Sequence, residues 1–274
     1  MSPYGPQGLR AMAVETGPEA ARVVNDNLRR PDRVTRLSAF MHAHPDAIAF
    51  QNGVDESGMA AACAREAGSA FQIWRLDQEF FGASGCLLDS MAALFPDPVA
   101  KAGIDRLGAL DRAATANAIA SRSPGKFLVY TVTDQQMGEA RQAIATDGGA
   151  QARQLFDALA ETRAIYLAAA SGEGDPNGRR ARLIKCTLAG YLTMTPPGSR
   201  VLVKFGDVQT VKGVNASRQR DLGNFVAGRA DGEGVSSLHI LVVGAEGSLS
   251  RCNGVGEQVA IKLHTPISDT DIHG

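Results

Sequence analysis

Val201-Leu-Val-Lys-Phe-Gly-Asp-Val-Gln-Thr-Val-Lys-Gly-Val-Asn215 is the stretch on which the fold turns. An aliphatic run stops at Gly206, and polar residues then cluster where the backbone must turn. A short apolar run of this kind suits a strand buried on both faces of a parallel sheet. Polar side chains just past its carboxyl end stand where open α/β sheets present chemistry. Asp221-Leu-Gly-Asn224 follows shortly after.

Upstream of that strand, Pro196-Pro-Gly198 is a turn, residues 179 to 194 read as a helix, and the segment from Gly172 to Gly178 is a loop. Residues 151 to 170 and 86 to 123 carry helical spacing, the latter through Leu87, Leu88, Met91, Leu94, Ile104, Leu107 and Leu110. The run from Lys126 to Val132 suits a strand or a buried helical stretch equally, because periodicity does not separate the two. Near the amino terminus, residues 8 to 15 predict a strand ending in Glu15. Gly17-Pro18 punctuates it, and residues 19 to 28 and 33 to 42 predict helices. His44-Pro45 ends the second of these, since a residue before proline is pushed out of the α region. Ala47-Ile-Ala-Phe50 predicts a second strand, followed by polar Gln51, Asn52, Asp55 and Glu56. Residues 57 to 66 predict a helix and 71 to 76 a third strand. Downstream, Leu238-His-Ile-Leu-Val-Val243 is a further β-rich run, and the tail beyond Ser248 has little pattern.

This alternation predicts an α/β fold: a mostly parallel sheet with helices on both faces and a helical insertion. The expected division is residues 1–85 as the first part of the core, 86–195 as a helical insertion or cap, and 196–274 as the second part and tail. A chain of 274 residues is long enough to bury a full core. Its formal net charge of −1 and aromatic content of 5% give no electrostatic or stacking case for nucleic acid. The expected partner is a small-molecule ligand or substrate. Cys63, Cys86, Cys186 and Cys252 form no Cys-x-x-Cys pair, so buried thiols are expected rather than a zinc site or disulfide framework. No apolar run reaches the roughly 18 residues of a membrane span, and Met1-Ser-Pro-Tyr-Gly-Pro lacks a signal peptide's parts. Read as written, the chain is expected to be cytoplasmic.

Strand ends supply three clusters of candidates. Glu15 stands before a Thr-Gly-Pro turn, where a carboxylate serves as general base, as ligand, or as cap of the next helix. Asp77 and Glu79 follow the third strand, with Arg75 just before the pair; they either converge on one point or straddle a solvated turn. Trp74, within the strand, reads as core. The third cluster is Lys204, Asp207, Gln209 and Lys212, with Asn215 and Asp221 beyond. A lysine in an apolar strand is seldom buried without a partner, so Lys204 is expected to pair with Glu15 or Asp77, or else to lie on an edge. Arg179, Arg180, Arg182 and Lys185 form a basic stripe that reads mainly as surface, with room for one to bind an anion. His42 and His44 read as surface, His239 as part of a strand, and His264 and His273 as tail. No metal-ligand set emerges, and Gly254-Val-Gly256 lacks a dinucleotide loop's setting.

Three of these stretches carry a family resemblance: Ala13-Val-Glu-Thr-Gly-Pro18, Ile73-Trp-Arg-Leu-Asp-Gln-Glu-Phe80 and Lys204-Phe-Gly-Asp-Val-Gln-Thr-Val-Lys-Gly213. In order and spacing, over about residues 8 to 245, the chain resembles the superfamily of erythromycin esterases, ChaN-like proteins and TraB/Tiki proteins. The resemblance implies an α/β core with a helical insertion. Members include esterases, metal-dependent peptidases and haem-binding proteins, so it leaves the cofactor unassigned. It makes Glu15 the second of two strand-end acids and puts Gln209 where a late histidine is expected. The Gly-Glu-x-His motif that precedes the second acid in the family has no counterpart before Glu15. The chain is therefore expected to start at the second strand of the sheet, or to have lost the hydrolytic site. An amide cannot replace a histidine as base, because it has no protonation equilibrium near neutral pH.

The leading expectation is a hydrolase-type domain acting on an ester or related bond. Glu15 would orient water or polarise the base, and Asp77 and Glu79 would shape the pocket. Lys204 and Lys212 would stabilise developing negative charge. Gln209 completes the catalytic candidates; Arg75, Asp207, Lys212, Asn215 and Asp221 are the substrate-binding ones. The alternative is a non-catalytic domain that binds haem, a metal or a small anion. A fragment with an unpaired sheet edge, prone to aggregate, is the third reading.

Overall fold

The computed structural model describes residues 8–50, 54–94, 97–242, 247–252 and 258–263, the last two stretches as backbone. Its elements in chain order are β1 (Leu9–Val14), α1 (Pro18–Asn27), α2 (Arg33–Ala43), α3 (Val54–Ala67), β2 (Gln72–Arg75), α4 (Ser84–Ala92) and α5 (Pro98–Ser121). A 3-10 turn at Pro124–Lys126 leads to α6 (Leu128–Thr131), α7 (Asp134–Asp147), α8 (Gly149–Ser171) and α9 (Pro176–Thr193). The chain continues through β3 (Arg200–Lys204), α10 (Asp207–Thr210), α11 (Leu222–Gly232), β4 (Gly247–Cys252) and β5 (Gln258–Leu263).

The fold is α/β. β1 is the central strand of a three-stranded sheet ordered β2-β1-β3, and both its pairings are parallel. Met12 is in register with Ile73 on one side and Leu202 on the other. Strand alternation divides the sheet's side chains between two cores. Met12, Val14 and Ile73 meet Val23, Val24, Leu37 and Ala60 of α1 to α3 on one face. Ala11, Ala13, Trp74 and Leu76 meet Ile184, Leu188 and Leu222 of α9 and α11 on the other. Each large aliphatic so buried contributes about 1.5–3 kcal/mol. Trp74 is core, as expected, and stacks on Tyr191 with ring centroids 4.7 Å apart.

Helices α4 to α8 enclose a third core, with Leu87, Leu88, Met91, Leu107, Phe127, Leu128 and Phe156 among its members. The undecided run Lys126–Val132 lies inside it as short helical turns rather than a strand. Helix punctuation follows local chemistry. The Thr133 hydroxyl accepts from the Gln136 N–H while the Gln136 side chain accepts from the Thr133 N–H, a reciprocal cap for α7. Asp175 caps α9 ahead of Pro176. Gly172, at φ 70°, ends α8 in the left-handed conformation that glycine adopts without strain.

Three expectations are corrected. Ala47–Phe50 is irregular backbone rather than a strand: Ala47 and Ile48 are buried by side-chain packing, and among the described residues no strand pairs with them. Burial by loop packing leaves the same apolar run in the sequence as burial in a sheet. Residues 238–242 are coil, with Leu238 84% and Val242 87% exposed, so β propensity there found no partner strand. The tail, expected to lack pattern, forms the antiparallel pair β4–β5, in which Leu249 is in register with Ile261. Gln51, Asn52, Val243, Gly254, Gly256, His264 and His273 fall outside the described residues.

Candidate functional site

The ends of the three parallel strands converge. β1 stops at Val14, and Glu15 continues its alternation on the α9 face, beyond Ala11 and Ala13. Asp77 follows β2 by two residues, and its side chain is 4% exposed. Both carboxylates receive one guanidinium. Arg180 donates through Nε to the two Asp77 oxygens at 3.0 and 3.1 Å and through a terminal nitrogen to Asp77 again. That terminal nitrogen also donates to Glu15 Oε1 at 2.6 Å. The second Glu15 oxygen accepts the Gly206 N–H at 2.9 Å, just past the end of β3. One cation therefore sits between two anions at the carboxyl edge of the sheet, the position that open α/β sheets use for ligands.

Burial and charge compete at each member. Burial raises the Asp77 carboxyl pKa against the pull of Arg180. Burial works against the Arg180 cation too, but the Asp77 and Glu15 carboxylates outweigh it and hold it firmly protonated. A cation placed between Glu15 and Asp77 would meet this guanidinium, so the residues present do not fit a metal there. Among the described residues no group of three or more His, Cys, Asp or Glu is arranged to hold one.

Gln209 belongs to the cluster. A Cβ on Gly206 would lie 3.0 Å from Gln209 Oε1 and 3.4 Å from Glu15 Oε2, so the amide and the carboxylate flank the same backbone atom. Two polar latches hold the loop that carries it. Asn215 donates to the Val208 carbonyl at 3.0 Å and accepts from the Gln219 N–H at 3.0 Å. Asp221 caps α11 by accepting the Leu222 N–H at 2.8 Å, and burial raises its carboxyl pKa. Both residues, taken from the sequence as substrate contacts, are buried and hold backbone. Asp207 and Lys212 are exposed, and the Asp207 carboxylate accepts the N–H of Val208.

Lys204 pairs with Glu56 of α3, not with Glu15 or Asp77. Strand alternation is the reason. Val201 and Val203 face α9 with Ala11 and Ala13, so Lys204 points to the opposite face from Glu15. Glu79 is 1% exposed and stands away from the Arg180 triad, at the start of α1. It accepts the N–H of Glu19, and a Cβ on Gly17 would come within 2.3 Å of its carboxylate. Burial raises its pKa to about 7. Its observed place is that of a helix cap supplied from the loop after β2.

Arg180 is the residue that sequence reasoning left in the basic stripe. Its signal is its spacing: Arg180, Ile184 and Leu188 recur every four residues, which puts the arginine on the buried face of α9. His239 was read as part of a strand. It lies in coil, where its Nδ1 donates to the Thr210 carbonyl at 3.1 Å, a carbonyl being able only to accept. The His239 ring thereby ties residues 235–242 to the turn that carries Gln209. Arg75 is exposed and lines a cleft of about 210 Å³ beside Asp77, Gln78 and Pro18.

No protein-family model matches the chain, and no curated protein sequence matches it. A solved structure does: an erythromycin esterase, the EreC H289N mutant in its open conformation. The two share 14% sequence identity, and the match covers 94% of this chain and 68% of that one with a TM-score of 0.62. The chain thus has an erythromycin-esterase-like fold.

Proposed function

We propose that this chain is a hydrolase-type domain acting on an ester or related bond at the carboxyl edge of its sheet, in the superfamily that also holds ChaN-like and TraB/Tiki proteins. The observation that carries the reading is the convergence of Glu15, Asp77 and Arg180 at that edge, within a fold shared with an esterase. Glu15 is the water-orienting group. Its side chain is 12% exposed, against 4% for Asp77, so of the two carboxylates it is the one with access to solvent. Arg180 holds it in one orientation, and the Gly206 N–H fixes its second oxygen. Gln209, beside Glu15, hydrogen-bonds substrate or water without exchanging a proton. Asp77 keeps Arg180 in place rather than meeting substrate. Within residues 86–195, helices α4 to α8, which enclose their own core, serve as the cap over this edge, while α9 packs on the sheet.

The test is ester turnover by the purified chain with 4-nitrophenyl esters of increasing acyl length. Glu15→Gln keeps the shape and removes the charge, and should lower kcat/KM at least 100-fold with little change in fold. Equal turnover by the variant would overturn the role of Glu15. A second reading, saturable binding of a small molecule without turnover, is favoured by one observation: both Glu15 oxygens are already engaged, and the amide at 209 supplies no base. Ligand binding that survives Glu15→Gln, with no turnover by either protein, would select it.

A further inference from the structure

The groove between α8 and α9 is edged by two arginines, Arg75 and Arg182, that feel the fields of Glu79 and Glu161 but are hydrogen-bonded to neither. An outer hollow of about 350 Å³ is lined by Glu161, Arg179, Arg182, Leu183 and Cys186. An inner one of about 210 Å³ reaches Arg75, Asp77 and Thr187. Glu161 and Leu183 line both, so the two are one groove running from the surface to the end of β2. Most charges along it cancel in pairs. Arg179 forks onto Glu161 at 2.7 and 2.6 Å, and Asp77 is taken by Arg180. Arg75 at the inner end and Arg182 at the outer end remain, and among the described residues neither makes a hydrogen bond or an ion pair.

We infer that this groove takes the acidic end of a small anionic ligand, a carboxylate- or phosphate-bearing ester. Its acid group meets Arg75, and Arg182 draws it in from the mouth. An unpaired guanidinium on a cleft wall is the group best suited to fork onto a carboxylate or phosphate. Two like charges along one groove also raise the local concentration of an anion before contact. Size narrows the class. At about 30 Å³ per water-sized group, the inner hollow holds roughly seven heavy atoms, the scale of a four- or five-carbon acid. Because Asp77 lines the same hollow and shares Arg180 with Glu15, a ligand anchored on Arg75 lies against the Asp77 side of the triad, one guanidinium away from Glu15. The assignment of this ligand as a substrate rests on the hydrolase reading; its binding does not.

The experiment pairs two esters of equal length, 4-nitrophenyl hemisuccinate and 4-nitrophenyl butyrate, with calorimetric binding of succinate alone. The expected kcat/KM ratio favours the hemisuccinate at least tenfold in the wild type and falls to near one in the Arg75→Gln/Arg182→Gln double variant. Succinate is expected to bind the wild type at least tenfold more tightly than the double variant, and more weakly as salt rises. Both substituted side chains lie at the groove surface, so the variant keeps its fold, which circular dichroism verifies. If neither ester turns over while succinate binding behaves as stated, the groove assignment stands and the hydrolase reading falls. A ratio near one in the wild type, or succinate that does not bind or binds both proteins equally, overturns the groove assignment.

Discussion

Replacing Arg180 with methionine tests the central arrangement directly. The side chain that leaves is 24% exposed, and it leaves Asp77, 4% exposed, with a charge and no cation. Glu15 loses the donor to one oxygen and keeps only the Gly206 N–H on the other. Removing one partner of a buried pair costs about 3–5 kcal/mol, because the remaining ion stays desolvated. Asp77 makes most of that contribution, since Glu15 retains solvent on one side. The assay is urea denaturation of wild type and variant across pH. In the variant the raised Asp77 pKa is no longer opposed by Arg180, so the folded state binds a proton more tightly than the unfolded one. The stability tied to that proton is fully present below the unfolded pKa of about 3.9 and is lost as pH rises through the folded value. Arg180→Met should therefore be less damaging at pH 5 than at pH 8. Joining it to Asp77→Leu should recover much of the loss, because an apolar pair leaves no stranded charge. A cost below about 1 kcal/mol that is also independent of pH would refute the reasoning.

The other predictions concern the α1 start and the turn at Gln209. Glu79 is raised to about 7 by burial, so its protonated form favours the folded state. Stability from this group is present below the unfolded pKa of about 4.3 and falls as pH rises through 7; Glu79→Gln should flatten that decline in a pH series of unfolding midpoints. Gly17→Ala sets a methyl group 2.3 Å from the same carboxylate and 2.6 Å from the Glu79 Cα, where nothing can yield cheaply. It should cost about 1–3 kcal/mol in denaturant titration. Gln209→His places a titratable base beside Glu15 and should raise ester turnover with a pH profile that rises near 6–7; a well-folded variant with an unchanged rate would count against the position of Gln209.

How much of this the sequence carried differs from element to element. β1, β2 and β3 were legible because each has a short apolar run that ends at a polar turn, but only β1 is largely buried: β3, expected to be buried on both faces, lies at the sheet's edge with Leu202 41% exposed. The runs at 47–50 and 238–242 have the same local signature and are not strands, since pairing depends on a neighbour that local pattern does not contain. Glu15 and Asp77 were legible as strand-end acids, but their partner was not, because Arg180 is joined to them across 165 and 103 residues. Lys204 misled for a related reason. Its unusual place in an apolar strand correctly signalled an ion pair, and only the parity of the neighbouring strands assigns that pair to Glu56. Glu79 shows the converse: two acids two residues apart took different partners, one the Arg180 guanidinium and the other the backbone at the start of α1.

The sequence distance closed by Arg180 also sets an order of events during synthesis. Asp77 leaves the ribosome 103 residues before its cation does, and Glu15 leaves 165 before. At about 5–20 residues per second, Asp77 waits some 5–20 s with its carboxylate still hydrated. During that interval β1 and β2 can already pair through their register at Met12 and Ile73, while their carboxyl ends repel each other. Emergence of α9 removes that repulsion and covers Ala11, Ala13 and Trp74 in the same step. The edge that holds the triad thus consolidates only when α9 and then β3 have emerged, and a nascent chain halted before residue 180 should expose it to protease.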